Sequence, residues 1–214
     1  MPRIKTKRDD ILRKPEIDAM LEKADDRMKC IIALLWIFGK RINEILRLKR
    51  EDIWIDDRFL YVRFTVSKKR HRREAPIPET YLKKIRLDHP YVPYILRWVE
   101  RIREGYIFPS WSRAKKVKVR TKYENREGKT VTGEYEYVIE GGHLTRQRVY
   151  QLLKKINPDA WLHLFRESLA TYMAERGASE EELMHWFDWS DIRTAHKYVK
   201  RGTKLIEKWA ERTF

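Results

Sequence analysis

The sequence predicts a mostly helical α+β domain with a small three-stranded antiparallel sheet and one extra β-hairpin. Three observations carry that expectation. Apolar residues recur at helical spacing through residues 15–48 and again from Leu144 onward; alternation replaces that period over residues 53–65; and two β-forming segments flank Asn-Arg-Glu-Gly at residues 125–128. The 214 residues are 42% hydrophobic and include 8 Trp, 11 Tyr and 7 Phe, enough for one sizeable core.

Taken in order, Pro15 opens a short amphipathic helix over 15–26 that presents Ile17, Met20 and Leu21 on one face. Residues 26–38 are apolar almost all round and predict a buried helix, which Gly39 interrupts before a second amphipathic helix through Ile42, Ile45, Leu46 and Leu48. Two strands follow, with Asp56-Asp57 at their turn, and a third short strand ends in REAPIP, residues 73–78. Between the last two strands lies SKKRHRR, residues 67–73. Helical patterns are read at 79–86 and 91–104. Residues 112–140 predict a β-hairpin whose first strand is basic and whose second is acidic. From Leu144 the pattern is helical to the end, punctuated by Pro158, Gly177 and Ser190-Asp191.

Composition restricts the function classes. The longest apolar run, residues 30–38, holds nine residues, whereas a bilayer-spanning helix needs about 20. The N-terminus leads into no apolar signal region, so a cytoplasmic location is expected. The single cysteine, Cys30, lies in the apolar run and is expected in the core. Lys and Arg total 48 against 32 Asp and Glu, a formal charge of +16, which points to a polyanionic partner, of which nucleic acid is the commonest. Charged residues reach 37% while Gln occurs twice and Asn three times, a balance similar to thermophile usage.

Four segments combine into a pattern: Gly39-Lys40-Arg41 followed by Glu44, Ile45 and Leu48; Lys68 eight residues before Pro76; His163-x-x-Arg166; and, counted from Arg166, Ala170-Thr171, Gly177, Trp189 at twenty-three and Tyr198 at thirty-two. This pattern resembles the tyrosine recombinase (phage-type integrase) family over roughly residues 15–200. The sequence departs from many members at Glu167, where they carry His, and at Phe187-Asp188-Trp189, where they read Leu-Gly-His. Trp in the last slot also occurs in relatives such as Cre recombinase.

The resemblance implies a catalytic domain that cleaves and rejoins duplex DNA through a 3′-phosphotyrosyl intermediate, without metal, cofactor or ATP. It implies catalytic roles for Arg41, Lys68, His163, Arg166, Trp189 and Tyr198. The residue types suit that chemistry. Arg41 and Arg166 offer planar forks to the scissile phosphate oxygens, which gain charge during phosphoryl transfer. A free phenol titrates near pH 10, so Tyr198 needs a base or a strongly positive site to attack, and the resemblance makes His163 the candidate base. Lys68, among other cations that lower its pKa, is placed to protonate the departing 5′ oxygen, although Lys69 can serve instead. Trp189 donates one N–H and cannot transfer a proton; it either stabilises the reacting phosphate or packs in the core.

The basic residues Lys69, Arg70, Arg72 and Arg73, with Lys115, Lys116, Lys118 and Arg120 on the hairpin, are candidate DNA contacts to the phosphate backbone. The expected organisation is a basic arm (1–14), a catalytic domain (15–200) that includes an inserted hairpin (112–140), and a C-terminal helical tail (201–214). Leu205, Ile206 and Trp209 share one face of that tail and pack either on the same domain or on a neighbouring copy. The expected partners are double-stranded DNA and other copies of the chain assembled on it. Two rival functions share the fold: a non-catalytic DNA-binding regulator, and a type IB topoisomerase that relaxes supercoils.

Overall fold

In the computed structural model, residues 11–65, 80–110, 115–124, 130–139 and 142–200 are described. Helix α2 (Asp26–Phe38) is the centre of the architecture. Every residue from Cys30 to Phe38 is buried, as the apolar run requires, and α1 (Lys14–Lys23), α3 (Ile42–Leu46), α4 (Val92–Val99), α5 (Arg146–Ile156) and α6 (Leu164–Glu175) all pack on it. Asp25 caps its start by accepting from the Met28 amide at 2.7 Å, and Gly39 ends it in the left-handed conformation with φ 57°. Cys30 lies fully buried in that helix, as expected.

The three-stranded antiparallel sheet has the order β1 (Ile53–Ile55), β2 (Phe59–Thr65), β3 (Thr80–Arg86). Alternation along β2 turns Leu60, Val62 and Phe64 inward, where Phe64 meets Phe38 edge-on at 5.4 Å between centroids. The opposite face shows Trp54 stacked on Tyr61, registered partners across β1 and β2.

Strand β3 corrects the sequence reading. The sequence pattern reads residues 79–86 as helical, and Tyr81, Leu82 and Ile85 do fit a 3.6-residue period. Seven consecutive rungs of pairing with β2, from Phe59↔Arg86 to Thr65↔Thr80, make the segment a strand and leave Leu82 exposed. The third strand therefore follows residue 79, and the expected end at Pro78 falls among residues outside the described set. Helix α4 is also shorter than the 91–104 pattern. It ends at Val99 in tight turns, Arg101 N to Trp98 O and Ile102 N to Val99 O, before Gly105 at φ 76°.

Strands β4 (Lys115–Glu124) and β5 (Thr130–Ile139) form the expected basic–acidic hairpin pair, in a register that sets Lys118 opposite Glu136 and Arg120 opposite Glu134. The bonds Ser110 N to Gly142 O and Leu144 N to Phe108 O fasten the chain on both sides of it. The C-terminal half continues with α5, α6, α7 (Glu180–Phe187) and a further helix, α8, over residues 192–200. At the other end, the Leu12 amide donates to Ser168 Oγ at 2.8 Å and Arg13 pairs with Glu175, so the chain entering α1 is tied to α6. Residues 1–10 and the tail 201–214 lie outside the described residues.

Candidate active site

The site begins where α2 stops. A side chain at Gly39 would place its Cβ 2.3 Å from Phe187 Cε1, in a left-handed conformation besides, so glycine is required twice over. The chain then turns into α3 with Arg41 as its N-cap in extended conformation, φ −68° and ψ 143°. Buried Glu44 holds Arg41 at both ends: Oε2 accepts from the Arg41 amide at 3.0 Å, and Oε1 from Nη1 at 3.1 Å. Arg41 is thus anchored from the protein side, while its side chain keeps 36% of its exposure.

Arg166 is buried and joins two distant segments. Its Nη1 donates to Gly39 O and its Nη2 to Phe187 O, each at 2.6 Å, and its guanidinium lies 4.9 Å from the Phe187 ring centroid and 5.4 Å from that of Trp189. Each terminal nitrogen carries a second N–H beyond the one given to a carbonyl, so the fork keeps donors for an anion. Burial, followed by the neighbouring Arg41 charge, pushes the guanidinium down to about 10; Glu44, Asp188 and Tyr198 oppose the shift. A buried cation held this way gains most from an arriving phosphate.

Trp189 is sandwiched. Its ring stacks on Phe187 at 4.7 Å and on Tyr198 at 5.2 Å, with interplanar angles of 18° and 12°. The packing and site readings of Trp189 are therefore compatible: one face fills the small core, and the other backs Tyr198, which α8 carries half-buried. His163 and Arg166 both stand at the start of α6 but differ in environment. His163 occupies the N-cap, exposed, with Nε2 3.7 Å from Glu167 Oε1, while Arg166 turns inward. Partial withdrawal from solvent, with the charges of Arg166, Arg41 and Arg146, holds His163 below its ordinary value against the pull of Glu167. The ring is therefore neutral at physiological pH and able to accept a proton.

The structure thus brings Arg41, His163, Arg166, Trp189 and Tyr198 into one neighbourhood. Lys68, Lys69, Arg70, Arg72 and Arg73 fall within residues 66–79, outside the described residues, and Lys115, Lys116, Lys118 and Arg120 lie along β4. Sequence reasoning marked Asp188 as a departure but missed the two buried cations that it holds beside the site. Lys40 and Lys83 are buried and both engage Asp188: Lys40 Nζ donates to Oδ2, and Lys83 Nζ lies 3.0 Å from Oδ1. The available signal was Asp188 itself, standing where the family pattern has Gly; it adopts φ 52° and ψ 47°, the left-handed conformation that such a Gly would supply.

The sequence profile of the Phage integrase family matches residues 10–204. The chain belongs to that family. Among curated members, it is 24% identical over 219 residues to the tyrosine recombinase XerD of Staphylococcus epidermidis, an alignment covering 97% of this chain and 63% of XerD. It is 27% identical over 213 residues to the tyrosine recombinase XerA of Pyrococcus horikoshii, covering 94% of this chain and 60% of XerA. This integrase-family chain therefore spans about three-fifths of the length of those relatives. Its fold is similar to that of the XerH site-specific recombinase in a post-cleavage complex with palindromic difH substrate, at TM-score 0.65 and 15% identity over 95% of this chain and 53% of XerH. The Tn1549 transposon integrase in complex with transposon right end DNA gives TM-score 0.53 at 15% identity, covering 91% of this chain and 62% of the integrase.

Proposed function

We propose that this chain is the catalytic domain of a site-specific DNA recombinase that breaks and rejoins duplex DNA through a 3′-phosphotyrosyl bond to Tyr198. One observation carries the reading: Arg166 is bound at once to the end of α2, beside Arg41, and to the end of α7, beside Trp189 and Tyr198. Residues scattered from 39 to 198 are thereby drawn towards one another, and the reading has the Arg41 and Arg166 guanidinium groups and the Tyr198 phenol facing one phosphate.

In the proposed reaction, Arg41 and Arg166 hold the non-bridging oxygens of the scissile phosphate, and the developing negative charge strengthens both contacts. His163, neutral, takes the proton of Tyr198 as the phenolic oxygen attacks phosphorus. The P–O5′ bond breaks, and Lys68 gives a proton to the leaving oxygen. Trp189 buttresses the phenol and can donate its indole N–H. The phosphotyrosyl bond conserves the energy of the broken diester, so attack by a second 5′ hydroxyl completes transfer without a cofactor. Duplex DNA is the proposed substrate, and the basic residues of 69–73 and of β4 are proposed to track its phosphates, with β4–β5 an insertion relative to shorter members. Self-association on DNA is the proposed working state, through the tail at 201–214. Within the cell, the proposed location is the cytoplasm, associated with the nucleoid.

The test is covalent capture on a pool of nicked duplexes with randomised sequence, resolved on a denaturing gel beside Tyr198→Phe. The reading expects an adduct with the wild type and none with the variant. Binding without an adduct across the pool would favour the regulator reading, and sequence-independent relaxation of supercoils would favour the topoisomerase. Replacing Lys115, Lys116, Lys118 and Arg120 with Ala is expected to flatten log affinity against log salt, by about 0.9 for each lost phosphate contact.

A further inference from the structure

Three charged groups are buried together at the edge of the site. The side chains of Lys40, Lys83 and Asp188 retain 1%, 6% and 9% of their exposure. Burying two ammonium groups with one carboxylate is expensive unless the geometry satisfies them. Here it does: Lys40 donates to Asp188 and lies 5.4 Å from the Phe64 ring centroid, while Lys83 contacts Asp188, donates to His185 O at 2.6 Å and lies 5.8 Å from the Trp186 centroid. A glycine at residue 188 would leave both cations without that carboxylate.

The position of each member in the chain is informative. Lys40 stands between Gly39, whose carbonyl Arg166 binds, and Arg41. Asp188 stands between Phe187, whose carbonyl Arg166 also binds, and Trp189, which stacks on Tyr198. Lys83 lies on β3, the strand that follows the connection bearing Lys68. We propose that Asp188 is a positioning residue for the strand-transfer site, its carboxylate gripping Lys40 and Lys83 so that the Gly39–Arg41 turn, β3 and the Phe187–Trp189 segment keep one arrangement. The proposal rests on reading this site as the strand-transfer centre. Asp188 touches no reacting atom; it acts through Arg41, Arg166 and Trp189.

The grip depends on protonation. Burial pushes Lys40 down to about 8 from the ordinary lysine value, and Lys83 adds to the shift; the hydrogen bond and charge of Asp188, with Glu44 on α3, oppose it. Tyr81, on β3, faces Lys40 with its ring, 5.8 Å from centroid to Nζ. As pH rises through about 8, Lys40 loses its proton and Asp188 loses one of its two cations. Because Asp188 favours the charged form of Lys40, removing the carboxylate moves that loss to lower pH.

The experiment uses the full chain in two arms. In the first, Lys40 Nζ is titrated by lysine side-chain NMR while Trp189 is followed by 19F NMR of 5-fluorotryptophan-labelled protein, assigned with Lys40→Met and Trp189→Phe. In the wild type, the Trp189 signal is expected to move with the Lys40 midpoint near pH 8, and in Asp188→Asn both midpoints are expected to fall. A Trp189 signal indifferent to Lys40 titration would overturn the proposal, and the wild-type titration alone decides this if the variant does not fold. In the second arm, adduct formation by folded Asp188→Asn is expected to slow about tenfold or more at pH 7 with DNA affinity unchanged, its alkaline limb displaced to lower pH. A wild-type rate and pH profile in that variant would also overturn the proposal. If the wild type forms no adduct, the strand-transfer reading fails, while the first arm still reports whether Asp188 sets the position of Trp189.

Discussion

Helix α2 is enclosed by five other helices and buries an unbroken run from Cys30 to Phe38, whereas α7 and α8 rest on a core of Leu169, Ala170, Ala174, Leu183, Phe187 and Ala195. Half of that second set is alanine, and its other apolar contacts come from partly exposed side chains such as Met173, Trp186, Trp189 and Tyr198, so less apolar area is withdrawn from water here than around α2. Polar bonds from outside make up the difference: Arg166 to Phe187 O, Lys83 to His185 O, and Lys40 to Asp188. Helix α6 spans both regions, with Leu164 and Phe165 in the large core and Leu169, Ala170 and Ala174 in the small one, and Arg166 lies where they meet. The scaffold is held chiefly by burial, and the site also by charge. Segments held by few apolar contacts open more readily than the core around them.

Phe187→Ala should loosen the second region most severely. It removes the largest fully buried side chain of the small core together with the stacking surface under Trp189, and a loss of about 4 kcal/mol is expected in chemical denaturation. Hydrogen exchange should rise in α7 and α8 while α2 stays protected; equal loss of protection in α2 would show that the two regions are one unit. Next is Gly39→Ala, which combines a left-handed backbone with a Cβ against Phe187 and should cost about 3 kcal/mol, read as a lower denaturation midpoint. Arg166→Lys cannot bridge Gly39 O and Phe187 O with one fork, and about 2 kcal/mol of stability should go with the lost carbonyl bonds. At the small end, His163→Ala should change stability by less than about 0.5 kcal/mol, because the ring is exposed, yet slow adduct formation by roughly a hundredfold or more. A base must be neutral to act, and His163 is held below its ordinary value, so the acid limb of the wild-type rate should lie beneath a free histidine's titration and vanish in the variant.

Much of the scaffold was legible because its causes are local. An all-round apolar helix must be central, Gly39 must end it, and alternation from Ile53 to Thr65 must give strands. The relative spacing of Arg41, His163, Arg166, Trp189 and Tyr198 was legible through resemblance, which encodes three-dimensional proximity as sequence distance. What escaped has non-local causes. Residues 80–86 satisfy either period until β2 is present to pair with them. Lys40, set in a polar Gly-Lys-Arg turn, reads as a solvated charge, and its burial depends on a carboxylate 148 residues away. The use of Arg166 as a bridge between two backbone carbonyls involves acceptors that every residue type possesses, so no pattern of side chains announces it.

The most direct measurement is the chemical identity of the covalent linkage. Adduct captured from nicked duplex is digested with nuclease and protease, and the nucleotide-bearing peptide is located by mass spectrometry. The account predicts one modified peptide, with a nucleotide joined through its 3′ phosphate to the Tyr198 oxygen, and a free 5′ hydroxyl on the released strand. A nucleotide on any other residue, or one joined through its 5′ phosphate, would contradict it.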